Sequence, residues 1–206
     1  MNKAKFWDKA ARKYAATPIK DMTAYEDTLE RARHYLTPDD HVLEVGCGTG
    51  TTALTLSKSV RSITATDVSQ QMLAIAEGKR RDQAISNVTF VPSEIMKPVA
   101  GAPFDAICAF SILHLVDDLP ETLMHLRDQL KPGGYVISKT ACLREMNRFI
   151  PLVVKVMKVF GKAPDVLIFS AEELENSFRR TGFEIVEAGY FGANTHARFV
   201  VARKPQ

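Results

Sequence analysis

The chain has 206 residues, of which 46% are hydrophobic and 25% are charged, and its formal net charge at pH 7 is +3. One globular domain with a sizeable core is expected, the charge is too small to indicate nucleic-acid binding, and no apolar run is long enough for a transmembrane helix or a signal core. The three cysteines, at positions 47, 108 and 142, are too widely spaced to indicate disulfides or a zinc site, so we expect a reduced, cytoplasmic compartment and no metal.

Two helices are predicted before the first strand. Residues 6–16 place their large apolar side chains near one helical face, and residues 24–36 also have an apolar side. The segment Thr37-Pro38-Asp39-Asp40 is rich in turn-forming residues. We expect this turn to deliver the chain into the first strand of the core.

The stretch Val42-Leu43-Glu44-Val45-Gly46-Cys47-Gly48-Thr49-Gly50 is the centre of the chain. Apolar residues on both sides of Glu44 predict a short buried strand of a parallel sheet. The glycines at positions 46, 48 and 50 allow a tight turn with φ above zero and a close approach of the backbone to a ligand. Helix character follows over residues 51–58. A strand, a glycine turn and a helix in this order predict the first unit of a nucleotide-binding α/β fold.

Two acids accompany this unit. The glycine pattern is one residue shorter than the Gly-x-Gly-x-x-Gly fingerprint of dinucleotide-binding proteins, and Glu44 lies inside the strand. Asp67 comes 21 positions after Gly46, at the end of a second apolar segment, where a carboxylate can accept both hydroxyls of a ribose. In these features the chain resembles the class I S-adenosylmethionine-dependent methyltransferases. The resemblance implies S-adenosyl-L-methionine as cofactor, bound by Glu44, Gly46, Gly48 and Asp67.

The resemblance also implies which residues meet the adenine end of the cofactor. The positions of Val68 and Met72 pack against the adenine or ribose in the family, although a methionine at helical spacing also suits a core. After the third strand the family has an acid, which holds the adenine amino group, and then a small or apolar residue that covers the ring. Here the sequence is Ser93-Glu94-Ile95, with glutamate in place of the more usual aspartate. Glu94 or Ser93 would therefore make the polar contact, and Ile95 would cover the ring.

The remaining elements alternate as in a doubly wound α/β fold. A helix with Ser69 as its N-cap, a third strand, a fourth strand, a helix and a fifth strand are predicted over residues 70–82, 87–91, 104–110, 119–130 and 135–138. The turn Lys131-Pro132-Gly133-Gly134 is a second mark of the same family. Strands over residues 182–190 and 197–203 would form a hairpin. The resemblance thus implies a seven-stranded, mostly parallel Rossmann-like methyltransferase fold with N-terminal helices.

The end of the fourth strand is expected to border the transferred methyl group, because ligands lie outside the carboxyl ends of such strands. Phe110 would lie beside the cofactor or pack in the core. His114 is the candidate general base, since its ordinary pKa is about 6.5; the alternative is a residue that packs the loop or contacts the cofactor. The first helix resembles the one that precedes the core in small-molecule methyltransferases. By that resemblance Tyr14 reaches the methionine end of the cofactor or covers the substrate, unless its helix only packs on the domain.

Residues 142–169 match no family pattern. They are dense in large apolar residues, and after Pro151 three lysines, Lys155, Lys158 and Lys162, lie on one helical face. We predict a helical insertion after the fifth strand, residues 141–170, that covers the substrate and sets its specificity. The lysines would be a solvated stripe or would meet an anionic group or, less favoured, a membrane surface. The whole is one domain, residues 1–206, with N-terminal helices (1–36), a core (37–140), this cover, and a C-terminal helix and hairpin (171–206).

The function predicted from these features is methyl transfer to a small-molecule acceptor, possibly a hydrophobic one, mainly by in-line positioning. A regulatory or scaffold protein that binds the cofactor without turnover is the alternative. The short glycine turn and Glu44 argue against an NAD-dependent oxidoreductase. Nucleic-acid methylation is disfavoured because neither its asparagine/aspartate-proline-proline-aromatic motif, nor a proline-cysteine nucleophile, nor a basic-aromatic patch occurs. The sequence leaves the methyl acceptor, its reacting atom and the oligomeric state open.

Overall fold

The computed structural model describes residues 3–146, 164–191 and 196–206. Within these ranges the strands are β1 His41–Val45, β2 Ser62–Asp67, β3 Val88–Pro92, β4 Phe104–Phe110, β5 Leu130–Ala141, β6 Glu184–Gly189 and β7 Ala197–Arg203. The α-helices are α1 Lys3–Ala16, α2 Met22–Arg33, α3 Thr51–Leu56, α4 Gln70–Asp82, α5 Leu119–Asp128 and α6 Ala171–Arg180. These elements follow the predicted order.

All of these strands form one sheet with the order β3-β2-β1-β4-β5-β7-β6. Strands β1 to β5 are parallel, and β7 is antiparallel to both β5 and β6. The predicted mostly parallel, seven-stranded Rossmann-like fold is therefore confirmed. The strand order reverses where β1 stands between β2 and β4, and in open α/β sheets this reversal opens a crevice at the carboxyl ends of the strands.

Each face of the sheet carries its own hydrophobic core. Alternate residues of a strand point to opposite faces, so Val136 and Ile137 of β5 belong to different clusters. The Val136 side is covered by α5 and α6, through residues such as Leu123 and Phe178. The Ile137 side is covered by α2 and α3 through residues that include Leu29.

The largest difference from the prediction is the length of β5. Residues 131–134 were expected to form a turn before a strand over residues 135–138, but β5 spans Leu130–Ala141. Strand pairing continues because Gly133 N donates to the carbonyl of Lys204, and Lys204 N donates to the carbonyl of Gly134. A Cβ on Gly134 would lie 2.7 Å from the Asp105 carbonyl oxygen, so only glycine lets β5 approach β4 this closely. Residues 131–134, which are typical of a turn, are therefore part of the sheet.

Candidate functional site

The glycine turn after β1 has the backbone conformation that its sequence predicts. Gly46, Gly48 and Gly50 have φ values of +66°, +53° and +73°, which L-residues with side chains rarely adopt. A Cβ on Gly46 would lie 2.7 Å from Ile112 Cδ1. A Cβ on Gly48 would meet only Tyr14 Cε1, at 3.8 Å. The turn therefore packs tightly below Gly46 and leaves a gap between Gly48 and Tyr14.

Asp67 ends β2 beside this turn. Its Oδ2 accepts a hydrogen bond of 2.9 Å from Gly48 N, and its Oδ1 accepts one of 2.8 Å from Ser69 N. Burial raises the pKa of the Asp67 carboxyl, and the backbone donors of Ser69 and Gly48 oppose that rise. Each carboxylate oxygen has capacity for another donor. The two oxygens can therefore accept two vicinal hydroxyls, as the ribose prediction requires.

Helix α1 is fastened to the start of α4. Ser69 Oγ accepts from Met72 N, which confirms Ser69 as the N-cap, and it donates to Asp8 Oδ1 over 2.7 Å. The same Asp8 oxygen accepts from Gln71 N at 3.1 Å. Asp8 thus holds α1, with Trp7 and Tyr14, against the loop that follows Asp67. This role of Asp8 is not predicted from the sequence, because a single acid on a helix is ordinary and its partners lie more than 60 residues away.

Two cavities open at the carboxyl edge of the sheet. The main cavity, about 590 Å³, is bordered by these predicted site residues: Tyr14, Gly46, Gly48, Asp67, Val68, Met72, Ile95, Phe110 and His114. The side cavity, about 480 Å³, is bordered by Glu44 together with residues of α2 and of the segment before it. Tyr14, Gly46, Phe110 and Ser111 border both. The two spaces therefore adjoin one another at the ends of β1 and β4.

Glu94 is the one predicted cofactor residue that the structure leaves outside both cavities. Its side chain is exposed, and its carbonyl accepts from Ser93 Oγ at 3.2 Å. Ser93 and Ile95 border the main cavity on either side of it in sequence. Of the two candidates for the polar adenine contact, Ser93 is the one that lies at the cavity. A contact by Glu94 stays a prediction.

Glu44 is a buried carboxyl without a counter-charge. Its side chain is 3% exposed, and Oε2 has no hydrogen-bond partner among the described residues. Burial, with a smaller contribution from the charge of Asp67, raises its pKa to about 8. An uncompensated buried acid is costly, and a cationic ligand in the side cavity would remove that cost. Glu44 is therefore placed to bind a ligand ammonium group.

His114 borders the main cavity. Its Nδ1 is buried and has no hydrogen-bond partner in the part of the chain that the structure describes. Burial lowers the pKa of the imidazole, so the ring is neutral at pH 7 and can accept a proton. The His114 carbonyl accepts a 2.8 Å hydrogen bond from Leu167 N, which ties this loop to the segment after the predicted cover.

The lining of the main cavity is largely apolar. It includes Ile112, Leu115 and Val116 from the loop after β4 and Trp7 from α1. The described flanks of the predicted cover, Leu143, Pro164 and Val166, also border the main cavity. Residues 147–163 lie outside the described ranges, so the helical cover and the stripe of Lys155, Lys158 and Lys162 stay predictions.

The residues present fit S-adenosyl-L-methionine. Asp67 offers acceptors for a ribose, an apolar slot by Val68, Met72 and Ile95 suits a purine, and Glu44 Oε2 is a buried acceptor that lacks a donor. Among the described residues, no group of histidine, cysteine and acidic side chains could hold a metal ion.

Comparisons with known proteins agree with this fit. The family model described as "Methyltransferase domain" matches residues 12–188. The demethylmenaquinone methyltransferase of Alkalihalophilus pseudofirmus is 28% identical over 187 residues, which cover 79% of this chain and 77% of that protein. The reducing polyketide synthase Preu2 of Preussia isomera is 36% identical over 107 residues, or 48% of this chain, and this match spans only 5% of Preu2.

Among solved structures, the N-methyltransferase NodS from Bradyrhizobium japonicum, in complex with S-adenosyl-L-homocysteine, superposes with a TM-score of 0.72. It is 15% identical, and the superposition covers 97% of this chain and 99% of that chain. A likeness at this identity shows the fold. The match of the family model over most of the chain shows more: this chain belongs to the methyltransferase family, and its cofactor is S-adenosyl-L-methionine, as the resemblance to class I enzymes predicts.

Proposed function

We propose that this domain methylates a small apolar molecule that binds in the main cavity between Phe110, His114 and Trp7. One observation carries the proposal. The residues expected at the adenosine, such as Asp67, and the apolar residues around His114 border one continuous cavity. A donor and an acceptor can therefore lie end to end without water between them.

Particular residues would hold the cofactor. Asp67 would accept the ribose hydroxyls, and Glu44 would take the ammonium of the amino-acid end. Val68, Met72 and Ile95 would enclose the adenine, with Ser93 or Glu94 at its amino group. Tyr14 and Phe110, which border both cavities, would contact the region between the adenosine and the amino acid.

The bound cofactor supplies a methyl group already activated on a sulfonium. The protein therefore has to orient the acceptor and exclude water, and such positioning can contribute about 7–11 kcal/mol of barrier reduction. Ile112 and Leu115 would line the acceptor, while Gly46 packs on Ile112 and fixes the floor. Where the acceptor loses a proton, neutral His114 would take it at a ring nitrogen.

The acceptor class follows from the lining. Most side chains that line the main cavity are hydrocarbon or aromatic, which suits an apolar small molecule and disfavours nucleic acid. The proposal includes a single domain over residues 1–206 and a cover over residues 141–170 that sets the substrate specificity. None of the described helices is long and apolar enough to cross a bilayer. The three cysteines are free and buried, in keeping with the proposed cytoplasmic location.

The proposal is tested with methyl-labelled S-adenosylmethionine and a panel of phenols, quinols, amines and short acyl carboxylates. Label should move to apolar members of the panel in wild type and much more slowly in His114→Ala. Transfer only to polar acceptors would contradict the apolar assignment. Tight binding of S-adenosylhomocysteine without transfer to any acceptor would favour the regulatory alternative.

A further inference from the structure

The side cavity contains a cation that the function described so far does not use. Lys139 lies near the carboxyl end of β5, and its half-buried ammonium borders the side cavity. Nζ donates to Thr28 Oγ1 at 2.7 Å and to the Ala24 carbonyl at 3.3 Å, both on α2. Neither acceptor is charged, and no carboxylate within the described ranges forms an ion pair with Lys139. One of its three N–H donors stays available.

Lys139 is also held next to the junction of the two cavities. Its carbonyl accepts a 2.8 Å hydrogen bond from Ser111 N, and Ser111 borders both spaces. In the β4–β5 register Lys139 stands opposite Phe110, another residue shared by the two cavities. The ammonium is thus held by α2, and the backbone of Lys139 is held by Ser111. Such a rigid placement costs little further side-chain entropy when a ligand binds.

The two ionisable side chains of this cavity, an acid and a base, match one chemical group. Glu44 offers a buried carboxyl, mostly protonated at pH 7 without a ligand, whose Oε2 lacks a donor. Lys139 offers an ammonium that forms no ion pair among the described residues, although the charges of Asp21 and Asp27 act on it from a longer distance. An α-amino acid carries an ammonium and a carboxylate on the same carbon atom. Burial lowers the pKa of Lys139, and an anionic ligand would reverse that effect. A lone anion would satisfy Lys139 and leave Glu44 unpaired.

Lys79 is the other lysine at this cavity, and its surroundings differ. Its Nζ donates to Thr49 Oγ1 at 3.1 Å and to Thr51 Oγ1 at 2.9 Å, where it joins α4 to the start of α3. It has no hydrogen bond to Ser111 or to any other residue shared by the two cavities. Lys79 therefore serves as a matched control for a lysine charge in the same cavity.

We propose that Lys139 binds the carboxylate of the amino-acid end of S-adenosylmethionine, while Glu44 binds its ammonium, so that Lys139 is a positioning residue for the methyl donor. This inference rests on the proposed function, because it assumes that the adenosine lies at Asp67. Its consequence is specific. Lys139 should matter for ligands with the amino acid and not for ligands with the adenosine alone.

The test compares two ligands by calorimetry. S-adenosylhomocysteine contains the amino acid, whereas 5′-methylthioadenosine keeps the adenosine and the thioether and lacks it. Lys139→Met should weaken S-adenosylhomocysteine binding at least about tenfold, as expected for a charge-assisted contact, and change methylthioadenosine binding less than about twofold. Lys139→Arg should restore most of the loss, and Lys79→Met should weaken neither ligand more than about threefold.

The outcomes separate the inference from the function beneath it. Equal weakening of both ligands by Lys139→Met, with an unchanged melting temperature, would overturn the role in carboxylate binding. If Lys79→Met and not Lys139→Met selectively weakens S-adenosylhomocysteine binding, Lys79 binds the carboxylate and the role of Lys139 is overturned. Wild type that binds neither ligand would contradict the proposed function itself. Selective loss rescued by arginine supports Lys139.

Discussion

The Asp67 carboxylate accepts a 2.9 Å hydrogen bond from the backbone amide of Gly48, which makes the predicted ribose acceptor and the glycine turn one unit. The turn can keep its left-handed residues partly because this buried carboxylate fixes the amide of the middle glycine. Asp67 in turn is oriented by the turn before any ligand arrives. A site that is held in its binding geometry loses less entropy on binding.

A methyl group added at Gly48 should block the cofactor without unfolding the protein. Gly48→Ala would place a Cβ in the gap beneath Tyr14 and would cost about 1–2 kcal/mol, because φ is +53°. Gly133→Ala is the matched control, since Gly133 has φ of +79° and no atom within 4 Å of an added Cβ. Thermal melts should show similar losses for both. Calorimetry should show weaker S-adenosylhomocysteine binding only for Gly48→Ala. If both variants bind it with the same affinity, the gap between Gly48 and Tyr14 is not part of the binding site.

Removal of the Asp8 carboxylate should loosen α1. Asp8→Ala removes the acceptor for Ser69 Oγ and Gln71 N, so hydrogen exchange of the α1 amides should accelerate strongly. Because α1 carries Trp7 and Tyr14, S-adenosylhomocysteine affinity should also fall. The control is Asp117→Ala, which breaks only an exposed ion pair of the same helix with Lys3. If the α1 amides exchange at the same rate in both variants, Asp8 does not anchor α1.

Cofactor binding should release a proton from Glu44. The pKa of about 8 leaves this carboxyl mostly protonated at pH 7, and a bound ammonium would lower that pKa. Calorimetry in buffers of different ionisation enthalpy should therefore show up to about one proton released per S-adenosylhomocysteine at pH 7. Glu44→Gln should abolish the release and weaken binding. Unchanged release in Glu44→Gln would assign the proton to another group.

The raised pKa of Glu44 also affects the stability of the protein without a ligand. A carboxyl whose folded pKa lies above its ordinary 4.5 binds its proton more tightly in the folded state, so stability declines as pH rises from about 4.5 to about 8. Glu44→Gln should remove this decline. Its melting temperature should therefore exceed that of wild type more at pH 8 than at pH 5, while its cofactor affinity is lower.

His114 should act on turnover. His114→Ala should lower the rate at saturating cofactor about 10²–10⁴-fold for an acceptor that must lose a proton, and change S-adenosylhomocysteine affinity little. Burial lowers the pKa of His114, so the acidic limb of the wild-type rate profile should lie below pH 6.5. His34→Ala, an exposed histidine of the α2 end, is the control. Equal rates for wild type and His114→Ala would leave His114 as a packing residue.

The sequence predicts most of the fold because its signals are local. The glycine turn, the Ser69 cap and β4 follow from residues that are neighbours in the chain, and they agree with the structure. The continuation of β5 through Pro132 to Gly134 could not be predicted in this way, since it depends on hydrogen bonds with Lys204, about 70 residues later in the chain.

The same distinction between local signals and distant contacts applies to the residues of the candidate site. Asp67 and Gly48 are predicted from spacing, whereas Asp8 and Lys139 depend on contacts across the fold. Lys139 lies just after the strand predicted over residues 135–138 and has no local signal, because its partners Thr28 and Ala24 lie more than 100 residues away.

The most direct test of this account is calorimetric titration of S-adenosylhomocysteine into wild type, Asp67→Ala, Asp67→Asn and the surface control Asp39→Ala. Wild type and Asp39→Ala should bind one ligand per chain with equal affinity. Both Asp67 variants should remain folded and bind at least about tenfold more weakly, because the ribose hydroxyls lose charge-assisted acceptors. Folded Asp67→Ala and Asp67→Asn proteins with wild-type affinity would contradict the placement of the cofactor at the ends of β1 and β2.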